Sequence, residues 1–67
     1  MFDFYVIKKT YRNEYLEAKN DLFVWTAIKD DGIYFDTFTD AEKFAKNYFK
    51  TFKSWKIVPV VVDTSKL

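Results

Sequence analysis

The chain of 67 residues has no cysteine, no histidine, one glycine and one proline. Without cysteine there is no disulfide, no thiolate zinc site and no cysteine nucleophile. Without histidine the chain lacks the side chain best suited to proton transfer near neutral pH and the commonest nitrogen ligand for zinc. Ser54 and Ser65 therefore have no histidine to activate them. No long hydrophobic run is present either. The most apolar stretch, WKIVPVVV at residues 55–62, is far too short to span a bilayer. The start, MFDFYVIKK, has no basic leader before its short apolar run, so no signal peptide is expected. These absences point away from an enzyme, a metalloprotein and a membrane span. The expectation is a soluble, cytoplasmic protein with no cofactor, no metal and no small-molecule substrate.

A chain this short forms one domain, residues 1–67. It buries only about 60% of its unfolded surface, so its stability is marginal. With neither disulfide nor metal, association with another chain is the remaining reinforcement. What the chain does have is rings. Eight Phe, five Tyr and two Trp let a small core bury much area per residue.

Net charge is +1, but the charges are unevenly placed. Residues 1–42 carry five basic and nine acidic side chains, while residues 43–56 carry five lysines and no acid. A basic stripe, Lys43, Lys46, Lys50, Lys53 and Lys56, therefore stands beside an acidic surface.

Residues 3–10, 14–18 and 22–28 read as strands, rich in β-branched and aromatic side chains and separated by polar breaks. Lys29 to Gly32 reads as a hairpin turn, with Asp-Gly supplying positive φ, and residues 33–36 as another short strand. The period then changes. Thr39 and Glu42 fit a capping box, and Ala41, Phe44, Ala45, Tyr48, Phe49 and Phe52 fall on one helical face. Residues 55–63 form the last strand. The spacing predicts an α+β fold: a small, mostly antiparallel sheet of three to five strands with one amphipathic helix, about 39–53, on one face, in the order β-β-β-(β)-α-β.

One helix covers one face, so the other should be polar. It is not. Val24 and Leu22 oppose Phe23 and Trp25, Phe4 and Val6 oppose Tyr5 and Ile7, and Trp55, Ile57 and Pro59 oppose Val58, Val60 and Val62. Pro59 cannot donate to a ladder, which puts the last strand at an edge or a bulge. Apolar side chains on both sides of an open edge invite cover by the chain's own hairpin, a second copy or another partner.

The segments Tyr5–Lys8, Glu14–Leu16, Trp25, Phe38–Ala45 and Lys56–Asp63 together resemble small proteins of unassigned function encoded by bacteriophages and prophages of low-GC Gram-positive bacteria. The resemblance implies an accessory factor, acting in the host cytoplasm, that binds and modulates or inhibits a host component such as a defence or nucleic-acid-processing factor. It brings no catalytic residues.

Three expectations follow. A host-protein binder would use the sheet face or edge at Tyr5, Phe23, Trp25, Val58, Val60 and Val62. A nucleic-acid binder would use Lys43, Lys46, Lys50, Lys53 and Lys56, with rings nearby; Arg12, the single arginine, leaves little scope for base readout, and neither a helix-turn-helix pair nor the glycine–aromatic signature of an RNA-binding sheet is present. A homodimer would bury its sheet faces against each other.

Overall fold

The computed structural model describes residues 3–61. Four antiparallel strands form one sheet: β1 (Phe4–Lys9), β2 (Tyr15–Lys19), β3 (Leu22–Thr26) and β4 (Trp55–Val60), in the order β3-β2-β1-β4. One helix, α1 (Phe38–Tyr48), lies between β3 and β4 in sequence. The fold is a small α+β domain.

Registers follow from the turns. β2 and β3 are joined through Asn20 and Asp21, both at positive φ (52° and 66°). That is the geometry of a two-residue hairpin, which Asn and Asp tolerate better than other non-glycine residues. Positive φ was expected at Gly32, which instead has φ −67° and caps a 3-10 turn, Lys29–Asp31. The chain does not reverse there. It leaves β3 at the sheet edge, crosses β2, and lays residues 33–35 beside β1. Glycine at 32 is required by contact instead: a Cβ would stand 3.2 Å from the Lys29 carbonyl oxygen and 3.4 Å from that of Leu16.

The expected strand at 33–36 is reduced to one bridge. Tyr5 and Phe35 exchange both backbone hydrogen bonds, at 2.9 and 2.8 Å, and the Ile33 N–H donates to the Leu16 carbonyl at 2.8 Å. β2 already pairs the other half of β1 at Lys8↔Tyr15, which leaves only this length of β1 free.

The helix starts and ends earlier than expected. Thr37, rather than Thr39, is the N-cap, its hydroxyl accepting from the Asp40 N–H at 3.0 Å. Thr37 and Asp40 satisfy the same spacing as Thr39 and Glu42. The earlier start brings Phe38 into edge contact with Tyr5, ring centroids 6.0 Å apart. After Tyr48 the chain turns so that Phe49 and Phe52 both reach Trp25, at 5.7 and 6.0 Å. Packing overrides the continued apolar period. The cap position is testable. Thr37→Ala should lower stability by about 1 kcal/mol, read as a lower urea midpoint at unchanged slope, while Thr39→Ala changes little. A larger loss at Thr39 would move the cap back.

The core is built where α1 meets the sheet. Ile7, Leu16, Ala41 and Ala45 are buried, ringed by Tyr5, Trp25, Ile33, Phe35, Phe44, Phe49, Trp55 and Ile57. Two alanines let the helix approach the sheet closely while larger rings close the sides.

The second face is answered by the same register. Phe4 pairs Val60, Val6 pairs Val58 and Lys8 pairs Lys56 on the side away from α1. Val6 and Val60 are buried there, at 0% and 5% exposure, and Phe4, Tyr15, Val24, Tyr34 and Val58 are half-buried. Tyr34 stacks on Phe4 at 5.4 Å. The residues read as a bare apolar face are therefore largely removed from water. β4 lies at the sheet edge, as Pro59 requires. Tyr5 gives its backbone groups to Phe35 on the opposite side, so the pair Tyr5↔Pro59 is a non-hydrogen-bonded one. The donorless Pro59 nitrogen thus faces outward.

Candidate functional site

The basic stripe divides. Lys46, Lys50 and Lys53 line one cleft of roughly 370 Å³ with Phe49 and Trp55. Lys46 projects from the last turns of α1, Lys50 and Lys53 from the segment that leaves it. The early end of the helix is what gathers them: a continued helix would string these lysines along its axis. Lys43 lies a turn back on the exposed helix face, outside the cleft lining. Lys56 is on the other sheet face, opposite Lys8. Like charges opposed across strands repel, and the Lys8 ammonium turns to donate to the Lys9 carbonyl at 3.2 Å.

A second cleft, roughly 200 Å³, is lined by Lys9, Tyr11, Arg12, Phe52 and Ser54. Residues 52–55 separate the two. Phe52 and Ser54 face the smaller cleft, Lys53 and Trp55 the larger, the alternation of an extended chain. The wall is tied down where the Thr10 N–H donates to the Ser54 carbonyl at 2.9 Å. Neither cleft is lined by a carboxylate.

The cations differ in how far they are engaged. Lys9 Nζ stands 2.9 Å from Glu14 Oε1 and 5.0 Å from the centre of the Trp25 ring. That approach lacks hydrogen-bond alignment, and the buried Glu14 Oε1 has no hydrogen-bond partner among the described residues, so charge holds the pair. Lys9 is thus a structural cation. Lys46 reaches Glu42 at 3.7 Å on an exposed helix face, a pair worth little. Lys50, Lys53 and Arg12 have no ion pair among the described residues.

Of the six residues expected to bind a protein partner, the five described ones do not form one surface. Trp25 lies on the helix side against Phe49 and Phe52. Phe23 packs on Phe44 and Tyr48, at 5.2 and 4.9 Å. Tyr5 packs on Phe38. Val58 and Val60 are on the opposite face, and Val62 lies outside the described residues. Sequence reasoning missed the smaller cleft. Tyr11 and Arg12 fall in the break between the first two expected strands, and only the β1–β4 register, Lys9↔Trp55, brings them to Phe52.

The acidic half offers no comparable site. Asp30 accepts a long hydrogen bond, 3.5 Å, from the Tyr34 hydroxyl. Partial burial, and then the Asp30 charge and this bond, raise the Tyr34 phenol above its ordinary pKa. Among the described residues no cluster of Asp or Glu could hold a metal ion, and no helix is long and apolar enough to cross a membrane. No family model, curated protein or solved structure matches the chain.

Proposed function

We propose that this protein is a non-enzymatic nucleic-acid-binding protein, acting in the cytoplasm of a bacterial cell without a cofactor. The observation that carries this reading is the larger cleft. Three lysines line it together with the half-buried rings of Phe49 and Trp55, and no carboxylate is in the lining. Ammonium groups displace the counterions of phosphates, and a ring beside them offers a stacking surface for a base. Lys43, a turn back on the helix, adds to the local field without touching the cleft, while Lys56 stands on the other sheet face.

A labelled oligonucleotide followed by fluorescence anisotropy tests this. Three phosphate contacts give a salt slope of about −2, so affinity should fall roughly tenfold to twentyfold between 50 and 200 mM salt. Lys50→Glu with Lys53→Glu should remove binding at both salts while the melting temperature stays near that of the parent. A flat salt response, or a double variant that binds as the parent does, rejects the proposal.

A second reading is an accessory protein of bacteriophage type that binds a host protein. The outer edge of β4 supports it. The pairs Ile7↔Ile57 and Lys9↔Trp55 share the outward phase of Tyr5↔Pro59, so Trp55 and Ile57 present backbone groups outward, where an added strand could pair with them. A second copy of this chain is one such strand.

A further inference from the structure

We infer that the ligand is a single strand, and that it crosses the Phe52–Trp55 wall to occupy both clefts, with Arg12 holding a phosphate and Tyr11 a base in the smaller one. This rests on the nucleic-acid reading above and specifies its ligand and its extent. Three observations carry it.

Each cleft sets beside its rings at least one cation that has no ion pair among the described residues. Lys50 and Lys53 accompany Phe49 and Trp55 in one, and Arg12 accompanies Tyr11 and Phe52 in the other. A ring at the surface gains from a nucleic acid only by stacking on a base that has left its duplex partner. A duplex would offer these clefts phosphates alone and leave the rings unused. The helix also disfavours a duplex, because its first half exposes Asp40 and partly exposes Glu42.

Tyr11 and Arg12 are placed for binding and have no structural duty that the fold shows. They occupy the loop between β1 and β2, and Tyr11 is 87% exposed. Lys9, the other cation of that cleft, is held by Glu14 and Trp25. Arg12 is left as the group able to take a phosphate, and its planar fork suits one.

The wall between the clefts is short. It is a single extended chain, with Phe52 and Ser54 turned to one cleft and Lys53 and Trp55 to the other, so a strand passes from one side to the other over one row of backbone. Two such subsites make a short site, at the low end of the range of about 4–16 nucleotides seen for single-strand binders.

The test uses the full chain with fluorescein-labelled dT2 and dT10, and a fluorescein-labelled ten-base-pair G·C duplex that stays annealed at the assay temperature. The parent should bind dT10 more tightly than dT2, and more tightly than the duplex. Tyr11→Ala with Arg12→Ala should weaken dT10 about tenfold, the order expected for one lost stacking contact and one lost phosphate contact, and leave dT2 within twofold. Both residues are exposed, so thermal melting should show the variant folded. A variant that binds dT10 as the parent does overturns the second subsite while the lysine cleft stands. Equal affinity for duplex and single strand overturns the single-strand assignment. Failure of the parent to bind any of the three overturns the nucleic-acid reading itself.

Discussion

Trp25→Ala should unfold this domain. The Trp25 ring stacks on Phe49 at 5.7 Å with planes 14° apart, meets Phe52 at 6.0 Å, and carries the Lys9 ammonium over its face. It closes the side of the core where the chain leaves α1. Truncating a large packed ring to alanine costs about 3–5 kcal/mol. A domain of this length has roughly 3–10 kcal/mol in total, so the loss consumes from about a third to all of it. Urea unfolding followed by circular dichroism should show the transition moved to very low denaturant or absent. Trp25→Phe keeps a stacking ring and should remain folded with a lowered midpoint. A Trp25→Ala protein that melts like the parent would place Trp25 on a working surface instead. The same result bears on the clefts. Phe49 and Phe52 are both held by Trp25, and each lines one cleft, so loss of Trp25 should loosen the two sites together.

The expectation that Trp25 and Phe23 meet a partner came from alternation alone. Period-two patterning in residues 4–9, 22–26 and 55–60 correctly separates the side chains into two sets, because a pleated strand has no other choice. It does not say which set the helix covers when both are apolar. Ala41 and Ala45 decide that. They are the small residues on α1, and they close onto Ile7 and Leu16, which share a face with Trp25 through the pair Leu16↔Trp25. The pairing of a small-residue helix stripe with one strand phase is a three-dimensional fact with no local signal.

The clefts were legible only in part, for a related reason. The lysine period was visible, and three of its members do gather. Their convergence depends on α1 ending at Tyr48, against the apolar spacing that continues to Phe52. Rings at 49 and 52 satisfy a helical period and a turn onto Trp25 equally well, and the tertiary contact selects the turn. The other wall depends on register. Tyr11 and Arg12 reach Phe52 because Thr10 pairs with Ser54. The Asp-Gly turn misled for a simpler reason. The dipeptide is compatible with a hairpin, yet the hairpin in this protein uses Asn20 and Asp21, and Gly32 is needed for a close backbone approach.

The sheet face away from the helix gives the second large effect. Val6→Asp should abolish folding at neutral pH. Val6 has 0% exposure, pairs with Val58, and is flanked on its face by Phe4 and Lys8. A carboxylate there loses its hydration, and the flanking Lys8, whose ammonium already donates to the Lys9 carbonyl, offsets only part of it, so the cost is several kcal/mol set against a total of similar size. Leu22→Asp is the control. Leu22 shares that phase through Lys19↔Leu22, but at the outer strand it is 66% exposed, so the same change should stay within about 0.5 kcal/mol. Thermal melting of the two variants in one buffer compares them directly. Loss at position 6 with tolerance at position 22 means that the face is closed at its centre and open only at its rim. Its apolar side chains then serve the fold, and binding is left to the basic end of the molecule. If Val6→Asp melts near the parent, the centre of that face is accessible to water, and a second chain laid across it becomes the better account of why WKIVPVVV has so little to offer a solvent.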